Sequence, residues 1–544
     1  MRKKGLALLL TAAMVCSLGL AGCGGSSSDT AENGGGTATA SNASDLQVDS
    51  ATDAVSSKDT LTIAMPSDPG TIDMHYSTAY DYVAPFVVNH LLIQEYDANG
   101  TVLPAIGDES LAAEYTYDDD DMGVTFTLRD GVTFSNGYAL TPEDVAFSIR
   151  LCSDQSFYQM VDFDNIETAD NTVHIPFLKK DANALYNIGA TIPIYSEQYC
   201  NELNNEAEFF STSAVGTGPY KIVEWVGGDY LDMEANESYF AGVPKIQKLR
   251  LRFITDASVA YMELQNGGVD IVTSPNWTDV DSVLAGAAFG IDCWEESSAY
   301  MLQFGMNCSG ALSDLKLRQA VVTAINKDEL AQGAFLGSGE NSYCLVSESL
   351  PGTIDYADSW PYSYDPEKAK ELLKEAGYEP GQLTLTCIVG AGGGPRTDAA
   401  QMIGGYLEAI GVTLEIKEVD IATYASTITD QPESWDFWLR NFGSGIGNAP
   451  SAHDYFATNI PMNCFIDKQD SSAKMLELAS KMGETMDDTE RTAVFKELQD
   501  YYLNECLYSC PLVQQKTYTL VNSGLKNLTK CGQLYWNVRN AYFE

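Results

Sequence analysis

The chain has 544 residues, of which 45% are apolar, 10% aromatic and 20% charged. This composition is typical of a globular protein with two or three domains, and it excludes a chain that is disordered throughout. The 76 acidic residues outnumber the 31 basic ones, giving a formal net charge of −45. Because such a surface repels phosphate backbones, we expect no nucleic-acid binding.

The N-terminus has the organisation of an export signal. Basic residues 2–4 precede an apolar stretch over residues 6–20, which is too short for a comfortable membrane-spanning helix. The following Leu20-Ala21-Gly22-Cys23 resembles the bacterial lipobox, in which the cysteine is acylated before cleavage. The sequence therefore predicts a signal peptide over residues 1–22 and lipidation at Cys23. The alternative is an ordinary secretory signal followed by a chance cysteine.

The segment after the lipobox is predicted to be a tether. Residues 24–57 contain no aromatic side chain and are dominated by Gly, Ser, Thr, Ala and Asp. Such a segment cannot bury enough apolar surface to fold, so residues 23–57 read as a lipid-anchored flexible linker. This places the protein on the outer face of the cytoplasmic membrane, facing the periplasm if the source has an outer membrane.

Periodicity predicts both strands and helices in the body of the chain. Residues 60–66 alternate as a strand, and residues 115–128 read as a hairpin with an acidic turn. Helices are predicted to begin at Thr141 and Asp365, each of which is a capping residue followed by proline. The stretch 382–416 reads as strand, helix and strand, a βαβ unit that predicts parallel sheet in the C-terminal half.

Motifs for catalysis are absent from the sequence. The four histidines show no HExxH or HxH spacing, and there is no CxxC pair, GxSxG elbow, Walker A loop or GxGxxG turn. We therefore expect no enzyme, no cofactor and no metal site. Paired carboxylates remain compatible with 76 acids, because their pairing is spatial, so a surface-anchored hydrolase is the remote alternative. Ten cysteines lie beyond Cys23, and both disulfides and buried free thiols remain open for them.

Several segments, in order along residues 60–540, resemble the family 5 extracellular solute-binding proteins of oligopeptide, dipeptide and nickel ABC importers. The segments that carry this resemblance are residues 67–73 (SDPGTID), 103–106 (LPAI), 126–149 (FTLRDGVTFSNGYALTPEDVAFSI), 216–220 (GTGPY), 236–246, 267–271 (GGVDI), 318–327 and 364–378. Most of these segments are scaffold turns and helix caps, so they indicate family membership more than ligand identity.

The resemblance implies an α/β fold of the periplasmic-binding-protein type II-like class (large cluster C), with two lobes and a cleft between them. Lobe I is expected over residues 58–295, with 512–544 returning to it, and lobe II is inserted over residues 296–511. The chain is expected to cross between the lobes near residues 290–300 and 510–516, where hinge closure would enclose a ligand.

The resemblance also implies a function and partners. The chain is expected to be a monomeric, lipid-anchored substrate-binding protein that passes a small solute, a peptide in the leading interpretation, to an ABC permease and ATPase complex. The alternative keeps the importer role for a non-peptide solute, such as an oligosaccharide, a modified peptide or a chelated metal.

The ligand-binding candidates combine aromatic walls with residues placed by the resemblance. The candidates are Tyr76, Tyr80, Trp277, Arg396, Trp438, Asn441, Phe442, Gly445 and Asp454. In peptide-binding members an Asp in a loop after a Trp-ended strand receives the α-ammonium. Here Phe442 falls at that Trp, Gly445 falls near that Asp, and no acid occurs between Asp436 and Asp454.

Each candidate also has a plainer interpretation. Asp454 could replace the missing loop acid, or it could simply begin a helix. Arg396, after the Gly-rich stretch 390–394, could bind a carboxylate with its fork-shaped guanidinium, or it could be a surface or structural residue. Core packing is the alternative for the four aromatic wall candidates, Tyr76, Tyr80, Trp277 and Trp438.

Overall fold

The computed structural model describes residues 41–42, 58–73, 83–96, 101–155, 158–391, 394–443, 448–531 and 535–544. The predicted signal peptide, Cys23, Tyr76, Tyr80 and Gly445 lie outside the described residues. The described residues belong to one compact unit, which spans Ala38–Glu544.

The described part of the chain contains strands throughout its length. The strands are β1 (Ser41–Asn42), β2 (Thr60–Met65), β3 (Ile93–Tyr96), β4 (Val102–Ala105), β5 (Ala112–Tyr117), β6 (Gly123–Leu128), β7 (Glu167–Ala169), β8 (Thr172–Pro176), β9 (Tyr220–Val226), β10 (Tyr230–Ala235), β11 (Lys248–Phe253), β12 (Ile271–Val272), β13 (Ile291–Met306), β14 (Gly339–Asn341), β15 (Leu383–Gly390), β16 (Val412–Val419), β17 (Phe437–Gly443), β18 (Ser509–Asn522), β19 (Leu525–Lys526), β20 (Thr529–Cys531), β21 (Tyr535–Asn537) and β22 (Tyr542–Phe543).

Helices alternate with these strands. The α-helices are α1 (Ala84–Val87), α2 (Pro142–Leu151), α3 (Ala184–Thr191), α4 (Glu197–Leu203), α5 (Glu206–Phe209), α6 (Ala257–Gln265), α7 (Trp277–Leu284), α8 (Leu315–Thr323), α9 (Lys327–Phe335), α10 (Pro366–Glu375), α11 (Pro395–Ala409), α12 (Ile421–Asp430), α13 (Ile460–Cys464), α14 (Ser472–Glu484) and α15 (Asp488–Tyr501).

The local sequence signals are confirmed. The Thr141 hydroxyl and the Asp144 carboxylate form a capping box at the start of α2, and Asp365 caps α10 by accepting from the amide of Lys368. The predicted βαβ unit is β15, α11 and β16, and its two strands pair in parallel from Leu383 opposite Val412.

A twelve-stranded sheet runs through the protein, with the order β16-β15-β17-β13-β18-β12-β2-β11-β10-β9 along its main path. Strand β1 pairs with β13, and β14 pairs with β18. The two long central strands, β13 and β18, are antiparallel to each other. A second, four-stranded antiparallel sheet has the order β5-β6-β8-β7.

Buried apolar side chains form four clusters, named here cores A to D. Core A contains buried side chains from residues 61–271 and 521–543, and core B contains only side chains from residues 302–513. Core C contains side chains from residues 91–194, and core D contains side chains from residues 64–293 together with residues 518 and 520. Strands β13 and β18 contribute to core B at one end and to cores A or D at the other. The predicted domain boundaries themselves stay a prediction.

Candidate functional site

Strands β13 and β18 lose their regular pairing where they pass between the cores. Ser297 lies opposite Lys516, and Met301 lies opposite Gln514, so three residues of β13 face the single residue Gln515. A bulge of this kind bends a strand and redirects its side chains, and bulges occur often beside functional sites. The bulge therefore marks the candidate site, at the point where the chain crosses from core B to core D.

The side chain of Gln514 holds the bulge in place. Its amide nitrogen donates to the carbonyl of Ser298 at 2.7 Å, while its oxygen accepts from the Ser347 hydroxyl at 3.2 Å and from the Glu348 amide at 3.1 Å. Gln514 is only 3% exposed, so these bonds satisfy polar groups that water does not reach.

A lysine joins three strands beside the bulge. The ammonium of Lys516 lies 2.9 Å from the Glu340 carboxylate on β14 and 3.0 Å from the Glu295 carboxylate on β13. Hydrogen bonds from Lys516 to Glu340 and Glu295 raise the pKa of the ammonium above its ordinary value. The group therefore stays positively charged at neutral pH, and it ties β14 to the two crossing strands.

Trp277 begins α7 and lies between elements of two cores. Its ring centroid is 5.3 Å from that of Tyr518 on β18, and it packs against the turn at Gly337 after α9. A β-carbon at Gly337 would stand 3.2 Å from the Trp277 ring, and Gly337 has a φ of +100°, which favours glycine. Trp277 is partly buried, which fits both a side chain that lines a ligand pocket and a side chain that packs against the core.

Strand β17 carries three of the candidates. The Asn441 side-chain oxygen accepts from the Gln515 amide at 3.3 Å, which places Asn441 beside the bulge. Phe442 pairs through its backbone with Met301, while its side chain lies outside the described atoms. Trp438 is 2% exposed, donates its indole N–H to the Asn463 carbonyl at 2.9 Å and packs against Gly305. Trp438 therefore packs in the core of the protein in this structure.

Arg396 is the second residue of α11 and is partly buried. Burial raises the pKa of the nearby Tyr424 hydroxyl, and the positive charges of Arg440 and Arg396 act to lower it. That hydroxyl donates to the Leu439 carbonyl at 2.8 Å. Two arginines thus approach the same phenol from β17 and α11, in a chain whose net charge is strongly negative.

Asp454 lies in a polar cluster that the sequence analysis did not foresee. Its carboxylate is 3.5 Å from His453 Nε2, and the Asp181 carboxylate is 3.9 Å from the same nitrogen. Burial raises the pKa of Asp181, and the nearby His453 opposes that rise. Asp181, Asn183 and His453 in this cluster, like Gln514 in the bulge, are buried polar residues, but none of them carries a spacing signal in the sequence.

Among the described residues, no group of three or more histidine, cysteine, aspartate or glutamate side chains is arranged to hold a metal ion. No helix in the described ranges has both the length and the apolar character needed to cross a membrane.

Comparison with known proteins identifies the class of this arrangement. Residues 109–463 match the family model described as "Bacterial extracellular solute-binding proteins, family 5 Middle". Heme-binding protein A of Haemophilus influenzae is 28% identical over 333 residues, which cover 56% of this chain and 59% of that protein. Glutathione-binding protein GsiB of Escherichia coli is 26% identical over 483 residues, 83% of this chain and 91% of that protein. The match to the heme-binding protein thus spans less than two thirds of its length.

A solved structure shows the same fold. The oligopeptide-binding protein AppA of Bacillus subtilis, in complex with a nonapeptide, superimposes with a TM-score of 0.74 at 20% identity. The superposition covers 89% of this chain and 99% of that one. The prediction of an α/β fold of the periplasmic-binding-protein type II-like class is therefore confirmed.

Proposed function

Because the chain belongs to the bacterial extracellular solute-binding proteins of family 5, we propose that it captures a peptide between two lobes and delivers it to an ABC permease. Members of this family are solute-binding proteins of ABC importers that work outside the cytoplasm. In this proposal a lipid at Cys23 anchors the protein to the outer face of the cytoplasmic membrane. Lobe I comprises residues 58–295 and 512–544, and lobe II comprises residues 296–511.

The observation that carries the proposal is the pair of crossing strands. Strands β13 and β18 run from core B to cores A and D, and their pairing is interrupted by the bulge at Ser298–Tyr300. The bulge interrupts the backbone pairing of the two strands, so fewer hydrogen bonds must shift when they bend at this point. A ligand held between the cores would then be enclosed by their approach.

Peptide is the leading ligand class. The fold matches that of an oligopeptide-binding protein in complex with a nonapeptide, and a relative is named for glutathione binding. An extended peptide can pair its backbone with strand edges, while water-filled pockets accept varied side chains. Asn441 and Trp277 beside the crossing strands, and Arg396 at the start of α11, supply amide, aromatic and guanidinium groups suited to such a ligand.

A non-peptide solute is the second candidate, and one feature favours it. No acid occurs between Asp436 and Asp454, where peptide-binding members place the residue that receives the α-ammonium. A buried ammonium without an acid would cost several kcal/mol, enough to abolish micromolar affinity. A blocked peptide, an oligosaccharide or a chelated metal avoids that cost, and one relative is named for heme binding.

Thermal unfolding separates these ligand classes. We expect a pool of free-amino-terminus peptides to stabilise the mature protein, because a ligand at 100 times its Kd adds about 2.7 kcal/mol. The same pool with acetylated amino termini serves as the matched control. If only the acetylated pool stabilises the protein, the ligand is N-blocked and the free-peptide proposal is wrong. If neither pool does but oligosaccharides or metal chelates do, the ligand is not a peptide.

A further inference from the structure

The loop between β8 and α3 contacts a distant part of the chain. The amide of Ala182 donates to the carbonyl of Gly483 at 2.8 Å, and the Asn183 side chain donates to the carbonyl of Ser451 at 2.7 Å. The Asn183 nitrogen also lies 3.3 Å from His453 Nδ1. These contacts join residues 181–183 to residues 451–454 and α14, which belong to the other proposed lobe.

Asn183 is the N-cap residue of α3. At this position an asparagine side chain usually accepts a hydrogen bond from a backbone amide of its own helix, but the Asn183 side chain makes no such bond. The amide group instead crosses to Ser451 and His453, and Asn183 is 3% exposed. The residue is therefore used for the contact between the two segments rather than for the start of α3.

Gly483 completes the contact from the other side. It lies near the end of α14, where glycine is an unfavourable helix residue. A β-carbon there would stand 2.7 Å from His453 Cδ2, closer than real β-carbons approach other atoms. The absence of a side chain at 483 lets the His453 ring lie against α14 and face Asp181.

The contact has little apolar content. Among the described clusters, core C lies on one side and core B on the other, and none contains side chains from both. Apolar burial gives most of the stability of a permanent interface, whereas a single hydrogen bond contributes much less. The contact therefore depends on a few polar groups rather than on a shared apolar core.

We propose that Asp181, Asn183, Ser451, His453 and Gly483 form a latch that holds the two lobes together in the closed state and sets how long a ligand is retained. The inference rests on the proposed capture by lobe closure. Asn183 acts as a positioning residue, because it orders the lobes through the latch and is assigned no ligand contact.

Groups from three segments surround the His453 ring in the latch. Asp454 faces the ring from the same segment as His453, and Asp181 faces it from the opposite loop. Helix α14 contacts the ring through Gly483, while Lys481 and Glu484 on that helix are exposed. Lys179, Asp454 and His453 all act on the Asp181 carboxylate. The Asn183 side-chain nitrogen approaches Nδ1 on the other side of the same ring.

Hydrogen exchange at the Ala182 amide tests the latch without any ligand. The full mature protein is compared with Asn183→Ala and Gly483→Ala, and Gly405→Ala is the matched control because nothing lies within 4 Å of its β-carbon position. We expect about tenfold faster exchange at Ala182 in both latch variants, as follows from losing roughly one hydrogen bond, with unchanged exchange in α3 for both variants and in α14 for Asn183→Ala.

Two results would overturn the latch. Unchanged exchange at Ala182 in both variants would mean that these residues do not hold the segments together. Faster exchange throughout α3 and α14 would mean that they support the fold locally instead. Both readouts are independent of ligand identity, so a failure of the peptide proposal in the thermal test leaves the latch result interpretable.

Discussion

The side-chain amide of Gln514 donates a 2.7 Å hydrogen bond to the carbonyl of Ser298, inside the bulge where β13 and β18 cross. The two residues are 216 positions apart in the chain, so the bond joins the outward and the returning crossing strands. The same side chain accepts bonds from Ser347 and Glu348. One buried glutamine thus fixes the geometry of the connection on which the proposed lobe closure depends.

Replacing that glutamine should destabilise the protein. Gln514→Leu has a similar size but leaves the Glu348 amide without its buried partner and removes one of the two bonds that the Ser298 carbonyl accepts, at a cost of about 1–3 kcal/mol. Chemical denaturation measures this loss, and Gln198→Leu, at an exposed glutamine on α4, serves as the control. A change of less than about 0.5 kcal/mol, the range usual for surface substitutions, would mean that water replaces the side chain in the bulge.

The buried Asp181 should make stability depend on pH. Burial raises its pKa in the folded protein, so its contribution is fully present below the unfolded pKa and is lost as the pH rises through the folded pKa. Asp181→Asn keeps the oxygen that accepts from the Asn183 amide and removes the charge. We expect this variant to raise the thermal midpoint at pH 7 and to lose the advantage near pH 4.

The matched control for that experiment is Asp108→Asn, at an exposed carboxylate. Subtracting the change in thermal midpoint of this control at each pH removes the general effect of making the protein less negative. A lower midpoint for Asp181→Asn at pH 7 would show that attraction between Asp181 and His453 outweighs the cost of burial.

Arg396 should contribute to ligand affinity if a carboxylate is bound. Arg396→Gln removes a charge-assisted hydrogen bond, worth about 1.5–3 kcal/mol, and should weaken binding about 10- to 100-fold. Calorimetry with a peptide that stabilises the wild type measures this change, and Arg150→Gln on α2 is the control. Equal affinity in wild type and Arg396→Gln would assign Arg396 a structural role.

The predicted lipid anchor can be tested independently of the ligand. Cys23→Ser removes the only sulfur at the lipobox position, so the exported variant should appear in the soluble fraction with unchanged thermal stability. Cys200→Ser, far from the signal, should remain with the membranes. An exported Cys23→Ser protein that still needs detergent for extraction would contradict the lipobox interpretation.

Local signals in the sequence predict local structure well here. The capping residues Thr141 and Asp365 begin α2 and α10 as expected, and strand periodicity predicts the parallel pair β15 and β16. These features depend on neighbours within a few residues, so one sequence contains the information that specifies them.

The site depends on contacts that local patterns do not contain. Asn183 looks like a helix cap in the sequence but donates to Ser451, 268 residues away. Gly483 looks like a weak helix residue until the His453 ring is placed against it. Trp438 has the kind of side chain that lines ligand pockets, but it is buried in the core. Aromatic side chains occur in both places, so the residue type alone does not distinguish them.

Native mass spectrometry of the purified mature protein, after incubation with a pool of free-amino-terminus peptides, tests the central claim most directly. The account predicts one peptide bound per chain, released intact when the protein is unfolded. Spectra that show only the bare protein, with every peptide left in the pool, would contradict peptide capture by this chain.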